Sequence, residues 1–200
     1  MSNLYKHIEN LRDKFGLNVM VAINRYTTDT LAEIKYVEKS LKEREIEVSL
    51  VEGWAKGGEG ATDIAQKLVN LTEKQEEFKY IYNLEDDIKT KIVKVAKEVY
   101  GAIGVDFSEE ASNEIDRIEK LGYGNLPVCI AKTQYSFSDN AKNLECKEPF
   151  KITIRDVNLK AGAGFVVAIS GKIMTMPGLP RVPAAENIDI DKNGKIVGIF

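Results

Sequence analysis

The feature that most constrains the fold is a switch, made twice in the first third of the chain, between strand-length apolar runs and helical apolar stripes. Val19-Met20-Val21-Ala22-Ile23 is continuously apolar, the pattern of a strand buried on both faces. Leu31, Ile34, Val37 and Leu41 then recur at helical spacing, behind a capping box in which Thr30 precedes Glu33. The run 46–51 repeats the strand pattern, and Ile64, Leu68 and Leu71 repeat the helical one. Strands separated by helices pair in parallel through right-handed crossovers. The chain therefore reads as α/β: three layers, with a mostly parallel sheet and helices on both faces.

A helix over Leu4, Ile8, Leu11 and Phe15, closed by Gly16, precedes this unit. After it, the run 78–82 reads as a short strand, and Ile88, Ile92, Val95 and Val99 mark a helix stopped by Gly101 and Gly104. Ser108 caps a further helix with Glu109 and Glu110 in its first turn and Ile115, Ile118 and Leu121 on its apolar face, closed by Gly122 or Gly124. Val128-Cys129-Ile130-Ala131 is strand-like. The last third loses helical periodicity. The run 151–157 alternates, 164–169 is nearly all apolar, and Ile188, Ile190, Ile196 and Val197 flank Lys192-Asn193-Gly194 as a hairpin would. A β-rich carboxyl-terminal extension with a terminal hairpin follows. No internal repeat or low-complexity linker appears, so residues 1–200 read as one α/β domain, with a sub-boundary near 145–150 as the alternative division.

Charge and composition exclude several partners. The 31 acidic and 28 basic residues are spread along the chain and leave a net charge of -3, so no basic stripe points to nucleic acid. No run approaches the ~18 apolar residues of a membrane helix, and the first residues carry no signal-peptide core, which predicts a cytoplasmic protein without a membrane partner. Cys129 in an apolar run and Cys146 in a polar loop lack CxxC spacing and read as reduced thiols. His7 is the only histidine and lies off the apolar stripe of its helix, which removes the main ingredient of Ser-His and His-rich metal chemistry. Asp189-Ile190-Asp191-Lys192-Asn193-Gly194 imitates the start of a calcium loop, but Phe200 stands at the twelfth position, where such a loop requires Glu. No metal site is predicted.

The chemistry concentrates between the second strand and its helix, in Glu52-Gly53-Trp54-Ala55-Lys56-Gly57-Gly58-Glu59-Gly60-Ala61-Thr62, which holds the only Trp. Such a loop lets backbone approach a ligand closely, and the helix N-terminus after it favours negative charge. The glycine spacing Gly53 to Gly58 matches a P-loop, but Glu59-Gly60 stands where Lys-Ser/Thr belongs, so ATP phosphates cannot be held there in the usual way. Lys56 remains as a cation for an anionic ligand. Ligands of open α/β sheets sit beyond the carboxyl ends of the strands, where Tyr26 and Trp54 end two successive loops. Two rings facing one crevice would sandwich a flat heterocycle; two rings packed on the sheet rim is the structural alternative. Lys132-Thr133-Gln134-Tyr135-Ser136-Phe137-Ser138-Asp139, after the later strand, is a third candidate wall.

Four segments in order, Val21-Ala22-Ile23-Asn24-Arg25-Tyr26-Thr27-Thr28-Asp29-Thr30, Glu52-Gly53-Trp54-Ala55-Lys56-Gly57-Gly58-Glu59-Gly60, Ala131-Lys132-Thr133-Gln134-Tyr135-Ser136-Phe137-Ser138, and Ala161-Gly162-Ala163-Gly164-Phe165 with Ile173-Met174-Thr175-Met176-Pro177-Gly178-Leu179-Pro180, closely resemble formate–tetrahydrofolate ligase (10-formyltetrahydrofolate synthetase). The resemblance runs over almost the whole chain and covers the carboxyl-terminal part of that longer family. It implies an ATP-dependent C–N ligase that makes formyl phosphate from formate and ATP and passes the formyl group to N10 of tetrahydrofolate. No tightly bound cofactor is implied; Mg-ATP and tetrahydrofolate are substrates of the full enzyme. The P-loop lobe has no counterpart here, so this chain is expected to be the folate-side part, inactive alone, with catalytic residues in the absent lobe and a homo-oligomer as the full assembly.

The resemblance also places roles. Tyr26 and Trp54 fall where the family stacks the pteridine, with Thr27 and Leu50 beside them. Lys56, Gly57, Gly58 and Gly60 form the loop near the substrate, and Pro177, Gly178, Leu179 and Pro180 border the adenine. The family usually carries Phe at the position of Tyr26, which preserves stacking, and often Pro at that of Thr27, which makes this wall less rigid. A stand-alone binding or assembly module without activity is the competing reading, and an independent nucleotide hydrolase is weakened by the incomplete P-loop.

Overall fold

The computed structural model describes residues 1–171, 173 and 181–198. Its first unit begins with α1 (Ser2–Glu9), which one π-helical turn (Asn10–Lys14) extends to Phe15. Gly16 ends it at φ +71°, and a Cβ there would lie 2.2 Å from the carbonyl oxygen of Glu77, so only glycine fits. Strand β1 (Met20–Asn24) follows. Thr30 and Glu33 then form the expected capping box and start α2 (Leu31–Lys42), whose Ile34 and Leu41 are buried. Strand β2 (Glu47–Val51) returns parallel to β1, with Met20 opposite Glu47 and Asn24 opposite Val51.

Helices cover this two-stranded sheet on both sides. Ile8, Leu41 and Ile46 form a core with Val19, Val21, Val37 and Val48 packed against it. On the opposite side a short helix α3 (Gly53–Lys56) and a 3₁₀ turn (Gly57–Ala61) lead into α4 (Thr62–Thr72), which lies over β2 and buries Ser49. The expectation that β1 is buried on both faces is corrected here. Ala22, the neighbour of Ser49, is exposed because α4 covers β2 and stops short of β1.

Residues 78–82 form no strand, contrary to the sequence reading. Lys79 donates its N–H to the carbonyl of Phe15, but the aromatic residues that suggested a strand are spent on side-chain contacts. Phe78 stacks on Phe15 at 5.9 Å between centroids and meets Tyr80 edge-on at 4.9 Å.

The second unit is a four-stranded sheet ordered β3-β5-β6-β4. Asp87 caps α5 (Ile88–Glu98) through the N–H of Thr90. Strand β3 (Gly104–Phe107) was not read from the sequence: Gly104, taken as a helix stop, opens it. Ser108 caps α6 (Glu109–Lys120) as expected, and β4 (Val128–Ala131), β5 (Lys151–Lys160) and β6 (Phe165–Ser170) complete the sheet. Ala161-Gly162-Ala163-Gly164 is the turn between β5 and β6, with Gly164 at φ +75°. Residues 145–150 lie between β4 and β5 of this one sheet.

Both helices pack one face of the sheet, where Ile88, Ile92, Ile115 and Ile118 meet Ile152, Ile154, Val157 and Val166. A bulge between Ile154 and Asp156 shifts the alternation by one residue, which is how Ile154 and Val157 both face inward. Lys91 is fully buried beside this core; its ammonium donates to the carbonyls of Gly124 (2.7 Å) and Leu126 (3.1 Å) and ties the loop before β4 to α5. Burial holds its pKa below the ordinary lysine value.

Three of the four pairings in the two sheets are parallel (β1 with β2, β3 with β5, β4 with β6), and β5–β6 is antiparallel. The α/β class and the parallel preference therefore hold. So does the terminal hairpin, β7 (Asp189–Ile190) with β8 (Ile196–Val197), turning at Gly194 with φ +79°.

Candidate functional site

Strands β1 and β2 end level with one another, and this registration builds the candidate site. Arg25 continues the ladder by donating its N–H to the carbonyl of Val51 at 3.1 Å, so the loops after the two strands leave the sheet side by side. The first loop is a tight turn: the N–H of Tyr26 donates to Asp29 Oδ2 at 2.7 Å and the N–H of Asp29 to the carbonyl of Tyr26 at 3.1 Å. The second is α3, which carries Trp54. The indole N–H of Trp54 donates to the carbonyl of Arg25 at 2.6 Å, locking the ring of one loop to the backbone of the other.

Tyr26 and Trp54 remain 64% and 62% exposed. With Asn24, Arg25 and Thr27 they line a cavity of about 300 Å3. Neither ring is consumed by core packing, so their faces are available to a flat ligand. Leu50 stands on β2 opposite Ile23, half-buried, and supports the floor of the sheet rather than the cavity wall.

A charge network joins the two loops. Arg25 Nη1 meets Glu52 Oε1 at 2.7 Å, and Lys56 Nζ meets Glu52 Oε2 at 2.5 Å. The hydrogen bonds from Lys56 and then Arg25 hold the Glu52 carboxyl below the usual glutamate range. Lys56, expected to meet an anionic ligand, is thus occupied by an internal partner. Arg25 and Glu52 were not singled out from the sequence, although the spacing of Glu52 and Lys56 on one helical turn was a signal.

The glycines serve the turn. The N–H of Glu52 donates to the carbonyl of Gly60 at 3.0 Å, and a Cβ on Gly60 would lie 2.5 Å from the carbonyl oxygen of Glu52. Gly57, at φ +59°, and Gly58 face open space, and none of the three lines the cavity. The N-terminus of α4 already holds its own negative charge. Asp63 accepts from Lys67 Nζ at 2.8 Å and from Ser49 Oγ at 2.6 Å, and these bonds, the one from Lys67 first, keep its carboxyl below the ordinary aspartate range.

The segment 132–139 stands apart, since none of its residues lines the cavity at Trp54. Lys132, Gln134, Tyr135 and Phe137 line a separate cavity of about 420 Å3 instead. A larger apolar cavity, about 680 Å3, lies between Phe15, Tyr82, Val95 and Pro127 and contains none of the expected ligand residues. Pro177, Gly178, Leu179 and Pro180 lie outside the described residues. Among the described residues no group of three or more His, Cys, Asp or Glu side chains could hold a metal ion, and no helix is long and apolar enough to cross a membrane.

A family model described as formate–tetrahydrofolate ligase matches residues 1–200.

Proposed function

Because the chain belongs to the formate–tetrahydrofolate ligase family, we propose that it carries the tetrahydrofolate side of that reaction, with the pterin held between Tyr26 and Trp54. The observation that carries this reading is the pair of exposed rings at adjacent strand ends, with the indole fixed by its bond to the Arg25 carbonyl at 2.6 Å. A ring held in place loses little further freedom when a ligand stacks on it, so more of the stacking energy appears as affinity. Aromatic stacking of a nucleobase-like ring contributes ~1–3 kcal/mol per ring.

The cavity also offers polar groups suited to a pterin edge. Asn24 lines it, and its side-chain amide can donate and accept at once; Thr27 adds a hydroxyl. Glu52 pairs with both Arg25 and Lys56 and so ties the loop after β1 to the loop after β2 beside the cavity.

Under this reading formate activation by Mg-ATP is carried out by residues outside this chain, because the glycine loop lacks the Lys-Ser/Thr of a nucleotide-binding P-loop. The polypeptide then acts as the folate-side, carboxyl-terminal part of a cytoplasmic, oligomeric ligase whose substrates are ATP, formate and tetrahydrofolate. Titration of the chain with tetrahydrofolate, followed through the fluorescence of Trp54, tests the reading. Saturable quenching that weakens by about tenfold or more in Tyr26→Ala is expected from the stacking energy. Absence of saturable quenching, or quenching unchanged in Tyr26→Ala, would support the assembly module without folate binding.

A further inference from the structure

The cavity beyond the carboxyl end of β4 has a composition unlike the rest of this acidic chain. Of its lining residues none is Asp or Glu, while the only histidine, His7, and Lys132 both reach it. Lys132 Nζ is held in place by the carbonyls of Thr133, at 3.2 Å, and Ser136, and lies 4.9 Å from the centroid of the Tyr100 ring. Among the described residues no carboxylate approaches it within ion-pair distance.

The nearby Asp139 is directed elsewhere. Its Oδ2 accepts from the N–H of Thr153 at 2.8 Å and from Ser170 Oγ at 3.3 Å, which ties it to β5 and β6. The Tyr100 phenol stays neutral, since burial pushes its pKa up to about 12. A positive charge thus sits in a partly desolvated cavity, fixed by two carbonyl dipoles, with no acceptor for its third N–H among the described residues. Burying an ammonium without a counter-ion is unfavourable, and an anion supplied from solution removes that cost.

The walls define the rest of the ligand. The imidazole of His7 leans on the ring of Phe137 with centroids 4.6 Å apart, and Tyr100 lies 6.4 Å from the same ring. Gln134 and the exposed Tyr135 complete the mouth. A volume of about 420 Å3 exceeds what a bare inorganic oxyanion occupies and suits one flat ring.

We propose that this cavity binds a small planar molecule carrying an oxyanion, with the oxyanion on Lys132 and the ring against Phe137, His7 and Tyr135. The site shares no lining residue with the Trp54 cavity and does not depend on the folate reading.

His7 makes the test direct, because a single imidazole gives a single set of side-chain NMR signals. The full chain is titrated with benzoate, with phenyl phosphate and with neutral benzyl alcohol while those signals and Trp54 fluorescence are followed. Saturable His7 shifts with benzoate or phenyl phosphate but not with benzyl alcohol are expected, and whichever anion saturates identifies the carboxylate or phosphate source. Lys132→Met should abolish saturation. Because Lys132 also fastens its own loop, Gln134→Glu serves as the second variant: it leaves those carbonyl bonds intact and places a like charge beside the ligand, weakening binding by about tenfold or more. Shifts that never saturate, an equal response to benzyl alcohol, or Gln134→Glu binding within about twofold of the parent would overturn the proposal. Trp54 fluorescence that stays flat during saturation keeps this outcome separate from any result at the Trp54 cavity.

Discussion

Trp54 and Arg25 are joined by a single hydrogen bond, indole N–H to backbone carbonyl at 2.6 Å, that ties the loop after β2 to the loop after β1. The bond matters because it orients a mostly exposed ring that core packing does not hold. Replacing Trp54 by Phe keeps an aromatic face but removes the donor. Tetrahydrofolate affinity, measured by calorimetry, should fall several-fold in Trp54→Phe, in line with the ~1 kcal/mol of one hydrogen bond, and further in Trp54→Ala. Equal affinity in all three proteins would show that the indole is not part of the site.

Gly60 and Gly58 differ in what surrounds them, although they are two residues apart in one loop. A Cβ on Gly60 would meet the carbonyl oxygen of Glu52 at 2.5 Å, and backbone cannot yield as a flexible side chain can. Urea denaturation should show Gly60→Ala destabilised by about 1–3 kcal/mol, the usual cost of forced overpacking. Gly58→Ala, with nothing within 4 Å, should stay within about 0.5 kcal/mol of the parent.

The Glu52 carboxyl is held below its ordinary value by Lys56 first and Arg25 second. A folded-state pKa lower than the unfolded one means that the unfolded chain binds the proton first as pH falls. The contribution of Glu52 is therefore complete above the ordinary glutamate range and is lost as pH falls through the lower folded value. Melting temperature measured against pH should decline less steeply on the acid side in Glu52→Gln than in the parent. An unchanged acid limb would remove Glu52 from the account.

Tyr100 behaves in the opposite sense. Burial raises its phenol from 10.0 to about 12, with the neighbouring Cys129 adding a smaller contribution. Its stabilisation is complete below the unfolded value of about 10 and is lost as pH rises toward 12. Phenolate absorbance should show one of the eight tyrosines ionising well after the exposed ones, and Tyr100→Phe should remove that late step.

Much of the fold was legible because its signals are local. The capping box of Thr30 and Glu33, the cap at Ser108, the apolar stripes of α2, α5 and α6, and the glycine turn of the last hairpin each depend on residues a few positions apart. Strand β3 escaped because Gly104, Val105, Asp106 and Phe107 are too few and too mixed to show a period; its partner β5 lies far along the chain. The segment 78–82 misled for the converse reason. Its aromatic residues have strand propensity, but the nearest surface was the end of α1, and contacts with Phe15 replaced a ladder.

By itself the sequence determined the α/β class, the two aromatic residues Tyr26 and Trp54 at neighbouring strand ends, and the family to which the chain belongs. Periodicity and motif order are properties of the linear chain and require no knowledge of long-range contacts. Tertiary structure decided what each loop residue does. It paired Lys56 with Glu52, set Gly60 against the Glu52 carbonyl, filled the start of α4 with Asp63, and separated the Lys132 loop from the Trp54 cavity. Those outcomes depend on which charges and backbone atoms meet within a few ångströms once the loops are folded, and the order of residues along the chain does not state it.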